Sequence, residues 1–438
     1  MTDPRPAPFD RRRFLAVLAA APALAALLQA CSDDLGVRAR SSDGPGASGE
    51  TGELRSSLSR DPADATLGPA AADAVNAFGL DLYRLLAADR PDDNLVLSPA
   101  SIALALAMAA AGAAGTTLDE MTSTLHADDL DLHRAMNALS SALDARNAAG
   151  VQVSIANATW LQAGMTVGSA FLDTLAGQYG SGAATVDFRR EAEQARVDIN
   201  AWVAERTNDR IPDLIPPDTL DEATRFVLVN AVYLLADWAE PFDPLLTRDA
   251  PFTTASGDTV DVPTMVNETT LPYATGDGWQ AIELPYRGDE LAVLLFLPEP
   301  DFLPLFEEIF LVTDATTYLE PALVRVFLPR WDTASSFGLA DQLGALGMPT
   351  AFTADADFTG ITTDEPLYVG AVIHQANITV GEEGTEAAAA TAVAGEAGAA
   401  PPVQEPIVLQ FDRPFVFALR DRLTGAVLFL GRVADPRG

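Results

Sequence analysis

The chain has 438 residues, of which 48% are hydrophobic, enough for one large core or two ordinary ones. Its formal net charge is −35, and all 27 basic residues are arginine. So acidic a surface repels phosphate backbones and sulfated polysaccharides, which argues against nucleic acid or glycosaminoglycan as a partner.

The first motif is an export signal. Asp10–Leu15 reads DRRRFL and precedes the apolar run AVLAAAPALAALLQA, which Pro22 interrupts and Cys31 ends. A basic start, a short apolar middle and small residues before the cut read as a signal peptide over 1–31, not as a spanning helix. Arg11-Arg12-Arg13-Phe14-Leu15 resembles a twin-arginine signal, and Leu28-Gln29-Ala30-Cys31 resembles a bacterial lipobox. That likeness implies export and lipid attachment at Cys31, with the membrane touched only through this lipid, each buried methylene adding about 0.8 kcal/mol. The alternative is a plain secretory signal and release to the extracellular space. Cys31 is the only cysteine, so packing alone holds the fold. Residues 32–68, rich in Ser, Gly, Asp and Pro, read as a flexible polar tether, and 69–438 as the globular part.

Within that part, AADAVNAFGLDLYRLLAA sets Val75, Phe78, Leu82, Leu85 and Leu86 on one helical stripe. Ser98–Gly115 opens with Ser-Pro, a cap followed by a first-turn proline, and is apolar nearly all round, so a buried helix is expected. His126 and His133 lie on a helical segment in which Arg134 and Arg146 are the basic residues; the histidines read as surface residues rather than metal ligands. Val197–Asp209 is an amphipathic helix with Ile199, Trp202 and Val203 inward. From Arg225 onward strand signals dominate: RFVLVNAVYLLADW, QAIELPY, ELAVLLFLP, LVRVFLPRW and AVLFLGRV. Helices first and strands later, without βαβ alternation, imply one α+β domain with mainly antiparallel sheet. No HExxH, GxSxG, P-loop or paired-cysteine motif is present. The expectation is a chain with no catalytic residue, no metal and no cofactor.

Gly381–Pro406, GEEGTEAAAATAVAGEAGAAPPVQEP, fits none of these elements. It lacks the bulk of a core segment, and its alanines alone would read as a helix or a linker. Five stretches in order decide otherwise: NLVLSPASIALALAMAAAGAAGTTLDEM, INAWVAERTNDRIPDLI, FVLVNAVYLLADWAEPFDPLLTRDAPF, GEEGTEAAAATAV and FDRPFVFALRDRLTGAVLFLGRVADP. Together they resemble the serpins from about Ala70 to the C-terminus. One departure stands out, Leu234–Asp237 reading LLAD where the family usually has FKG, and it is expected to concern packing near a turn.

The resemblance implies the serpin fold, with antiparallel sheets, a bundle of helices and an exposed reactive-centre loop at about 382–406. It also implies a monomer that traps serine proteases covalently. The protease cuts the loop, and the segment before the cut inserts as a new strand in the main sheet. The implied hinge is Glu382, Glu383, Gly384, Thr385, Glu386, Ala387, Ala388, Ala389 and Ala390. The family's spacing sets the bond at Gly398–Ala399, with Glu396, Ala397 and Ala400 as alternatives. Such small residues suit an elastase-like or subtilisin-like protease, or a glutamate-specific one at Glu396. By the same likeness Ser98, Ser101, Asn230 and His374 form a gating cluster, and insertion begins at Trp238.

The residues agree with insertion. On an inserted strand Thr385, Ala387, Ala389, Thr391 and Val393 face the core, while Glu386 and Glu396 face solvent. A one-residue slip would bury both carboxylates. The alanine hinge has no proline or large charge to slow insertion. Two other readings remain: a non-inhibitory serpin acting as a surface binding or carrier protein, and a polymerising structural protein that donates its loop to a neighbour.

Overall fold

A computed structural model of the chain describes residues 47–48, 51–148, 150–309, 316–385 and 405–438, all belonging to the unit Ser42–Gly438. The signal segment with Cys31, the hinge positions Glu386–Ala390 and the bond candidates Glu396–Ala400 lie outside the described residues.

Caps and apolar periodicity set the helices. α1 (Gly68–Asp89) carries Pro69 in its first turn and buries Val75, Phe78, Leu82 and Leu86. α2 (Pro99–Ala110) is capped by the Ser98 hydroxyl, which accepts from the Ser101 amide, and is buried along its whole length. It stops short of the expected Gly115: the amides of Gly112 and Ala113 donate to the carbonyls three residues back, a tight turn that closes the helix. Gly115 instead opens α3 (Gly115–Thr124). There follow α4 (Leu132–Asp144), capped by Asp131, α5 (Ser169–Tyr179), α6 (Phe188–Arg206), α7 (Leu303–Ile309) and α8 (Ala340–Leu346).

Of the two histidines expected on the surface, His126 is exposed and His133 is not. His126 lies in the turn before α4, not on a helix, 2.9 Å from Asp81. His133 is on α4 but half-buried, its Nδ1 2.8 Å from the Tyr179 hydroxyl, and burial lowers its pKa. Arg146 is buried too, donating from Nε to Asp421 at 2.5 Å, so it does not belong to a basic face.

The main sheet runs in the order β13 (Trp331–Gly338), β14 (Ala371–Val380), β15 (Gly384–Thr385), β7 (Phe226–Asp237), β4 (Val151–Gln162), β6 (Ala183–Val186), β2 (Gly52–Leu54). A second sheet carries β16 (Ile407–Gln410), β12 (Glu320–Pro329), β9 (Thr259–Gly276), β10 (Trp279–Pro285), β11 (Leu291–Pro298), β17 (Phe415–Asp421), β18 (Val427–Val433) and β3 (Leu95–Leu97), with β8 (Arg248–Thr253) on the free end of β9. β1 (Ala47–Ser48) pairs with β5 (Thr166–Val167). β11 and β18 are buried at every residue, which explains their unbroken apolar runs.

The expected flexible tether over 32–68 ends earlier than its composition suggests. Ala47 and Ser48 already pair with β5, β2 adds an edge strand to β6, and Arg60 Nε donates to Asn137 at 2.8 Å. Backbone pairing needs no apolar side chain, so a Ser- and Gly-rich stretch carries no sign of it.

Candidate functional site

The residues singled out in the sequence meet where the main sheet parts. β14 and β7 run parallel and pair directly from Ala371↔Val227 to Ala376↔Val232. Above that ladder they separate, and the chain leaving Val380 turns through Gly381–Glu383 and comes back between them. Gly384 and Thr385 then pair with Asp237 and Ala236 of β7, and Thr385 also with Val380 of β14. A returning strand is antiparallel to the one it leaves, and because β14 and β7 are parallel it is antiparallel to both. The first hinge residues are thus already seated in the sheet.

Each seated residue has a reason. Gly384 holds φ at 157°, and a β-carbon there would lie 2.0 Å from the Ala236 carbonyl oxygen, so only glycine fits. Thr385 is buried and shares a 2.6 Å hydrogen bond with the Tyr286 hydroxyl. It faces the core, as the alternation requires. Burial raises the Tyr286 pKa and the Thr385 contact lowers it, with burial the larger effect. Trp238 stacks on Tyr286 with ring centroids 4.5 Å apart; its amide donates to Glu383 O at 2.8 Å and its indole to Gly381 O at 2.9 Å.

Glu382 is the anchor of the turn. Its side chain is 7% exposed and accepts from Arg330 Nε at 2.8 Å and from the Thr247 hydroxyl at 2.5 Å. Its carbonyl accepts from the Phe242 amide at 2.8 Å. Burial pushes the carboxyl pKa up, but the hydrogen bonds from Arg330 and Thr247 outweigh it, and the net shift is downward.

Lower in the sheet Ser98, Ser101, Asn230 and His374 come together, all fully or almost fully buried. His374 and Asn230 are register partners across the parallel ladder, and Asn230 and Asn157 across the next one. Three polar residues therefore span three adjacent strands. The Ser98 amide donates to His374 Nε2 at 3.1 Å. That nitrogen must be unprotonated, so the ring proton sits on Nδ1 and is donated to Asn230 Oδ1. Asn230 Nδ2 donates to the Ser101 hydroxyl and, at 2.5 Å, to Asn157 Oδ1. Asn157 Nδ2 returns a 3.0 Å bond to the Ser101 carbonyl. Burial drives the His374 pKa down to about 3, a neutral ring at any ordinary pH.

Three participants escaped the sequence reading. Asn157 was signalled only by the alternation Val151, Val153, Ile155 on a strand not singled out. Arg330 and Thr247 had no local signal, since each reaches Glu382 from a distant segment. The LLAD departure ends β7 just before the bend at 239–240, and Ala236 and Asp237 are the partners of the seated hinge. Among the described residues no group of three or more His, Cys, Asp or Glu could hold a metal ion.

Comparison with known proteins gives the family. A family model described as serpin, serine protease inhibitor, matches residues 73–436. A serpin-like protein of Thermococcus kodakarensis is 37% identical over 369 residues, 83% of this chain and 85% of that one. The leukocyte elastase inhibitor of Bos taurus is 33% identical over 375 residues, 83% of this chain and 98% of that one. Among solved structures, thyroxine-binding globulin in complex with thyroxine superposes with a TM-score of 0.76 at 26% identity, covering 85% of this chain and 100% of that one. Serpin48 of the insect Tenebrio molitor gives 0.74 at 30% identity, covering 83% and 98%.

Proposed function

The chain belongs to the serpin family and is not an enzyme, and from that premise we propose that it inhibits serine proteases as a suicide substrate. The protease serine attacks a bond in 396–400 and becomes acylated. The freed segment before the cut then slides into the main sheet and carries the enzyme with it before the ester is hydrolysed. The observation that carries this reading is the seated hinge: a strand antiparallel to both neighbours has already started, in the register that keeps Thr385 inward.

That register can be followed down the gap. Thr385 opposes Val380 and Ala236. If the pairing continues one residue at a time, Thr391 arrives between His374 and Asn230, the same pair that must part to admit it. Its hydroxyl can then bond to both groups that lost each other, so insertion leaves no buried polar atom unpaired. The four residues before it are alanines, small side chains for a strand that has to enter a closed sheet. The uncut chain is held in its less stable packing by kinetics, and cleavage releases it.

Incubation with pancreatic elastase and with subtilisin tests the proposal. The expected product is a complex that survives denaturing electrophoresis, with the released C-terminal peptide giving the bond by mass spectrometry. Complete conversion to fragments without a complex contradicts it. A carrier role, which the thyroxine-bound neighbour invites, gives that second outcome. Export and lipidation at Cys31 belong to the same proposal, and the mass of the mature N-terminal peptide checks them.

A further inference from the structure

At the foot of the β14–β7 ladder, in a protein of net charge −35, two arginines share one carboxylate. Arg189, in the first turn of α6, donates to Glu365. Arg225, the residue before β7, holds its Nε 3.6 Å from the same side chain, too far for a hydrogen bond. That Nε is buried without a hydrogen-bond partner. Arg225 Nη1 donates to the Glu222 and Thr224 carbonyls at 2.7 and 2.8 Å, which fixes the guanidinium at the end of the strand. Two guanidinium groups on one carboxylate leave room for a second anion. We propose that Arg225 receives the Glu396 carboxylate once the loop is cut, a role that rests on the reading that the cut segment inserts.

Register leads to this spot. Thr385 opposes Ala236 of β7 and Val380 of β14. Continued residue by residue, the inserted strand sets Ala394 between Val227 and Ala371, the lowest pair of the present ladder, and Glu396 beside Arg225. The faces agree as well. Val227, Val229 and Ala231 of β7 pack with Ile199 and Val203 of α6, so the odd-numbered positions of β7 look towards α6. Arg225 shares that parity, and α6 itself supplies Arg189. Thr385 looks towards the core, so Glu396, an odd number of residues further on, looks towards α6 too. Every candidate bond from 396 to 400 leaves Glu396 on the inserting piece.

The chemistry suits the arrival. A carboxylate beside a guanidinium gains charge-assisted hydrogen bonds, and the unpartnered Nε is a donor ready for one. Glu365 stays shared with Arg189, so two carboxylates then balance two guanidinium groups. The pair forms only when the strand has travelled the full length of the gap. It therefore stabilises the completed state and adds nothing to the seated hinge.

A double-mutant cycle on the full chain tests the pairing, with Arg225→Gln, Glu396→Gln and both together, each before and after limited cleavage within 396–400. The readout is the rate of thermal unfolding in low-salt buffer, where ion pairs are least screened. Each cut single variant is expected to unfold about fivefold faster than the cut parent, and the cut double variant no faster than the singles. Uncut Glu396→Gln is expected to match the uncut parent. A cut Glu396→Gln within about twofold of the cut parent overturns the pairing, and so do single effects that simply add in the double variant. Either result leaves insertion standing if the cut parent unfolds more slowly than the uncut one. A cut parent that unfolds no more slowly than the uncut one removes insertion itself, and the pairing with it.

Discussion

His374 shows how much a single buried side chain does in the polar cluster of the main sheet. Its ring is neutral, with Nε2 accepting from Ser98 and Nδ1 donating to Asn230. Its pKa is about 3 when folded and near 6.5 when unfolded, so acid favours the unfolded chain. The contribution is complete above pH 6.5 and is lost progressively as pH falls towards 3, a matter of a few kcal/mol. Melting curves between pH 7 and 4 are therefore expected to fall more steeply for the parent than for His374→Gln; parallel slopes contradict the assignment. Glu382 titrates in a lower window, because its folded pKa is depressed and its contribution fades only below the usual carboxylate range. Arg330→Ala leaves that carboxylate buried with Thr247 as its side-chain partner. The expected cost is about 1–3 kcal/mol, read by urea unfolding, together with faster self-association on warming as the hinge comes loose. Of these residues His374, Asn230, Ser98, Ser101 and Glu382 were legible through their motifs. Arg330, Thr247 and Asn157 were not, because a hydrogen bond between distant segments writes nothing into the local pattern of either.

Among the elements, the hinge strand is the one on which the proposed function turns. The parity reasoning already set Thr385 inward, and Thr385 is buried against Tyr286. What parity could not tell is that Gly384 and Thr385 are seated before any cut. That depends on the gap between β14 and β7, a pairing of segments far apart in the chain. Two substitutions separate the loop's tasks. Ala389→Pro removes an N–H the ladder needs, and is expected to turn the inhibitor into a plain substrate, with fragments replacing the complex on a denaturing gel. Thr391→Val keeps the shape but deprives His374 and Asn230 of their new partner. The cut variant is expected to be about 1–3 kcal/mol less stable than the cut parent, measured by denaturant unfolding, with the uncut forms alike. Equal losses in cut and uncut forms contradict the register. The strands β7, β10, β11, β12 and β18 announced themselves as apolar runs. The edge strand β2 did not, since its polar residues contribute backbone and little else.

At the scale of the whole molecule, the proposed function rests on a transition rather than on a binding site. On the proposed mechanism the two half-sheets move against each other, and the polar cluster and the Glu382 anchor both bear on the line between them. The α+β class and the single core were legible from order and composition alone. The proposed second state comes only from the resemblance, because periodicity reports the elements a chain forms and not those it has yet to form. If the uncut sheet is the less stable arrangement, severing the loop must make the protein harder to melt. The decisive measurement is the melting temperature of one preparation before and after limited cleavage within 396–400. Our account predicts a rise of roughly 10 °C or more, several kcal/mol for a chain of this size; identical melting of the cut and uncut forms would contradict it.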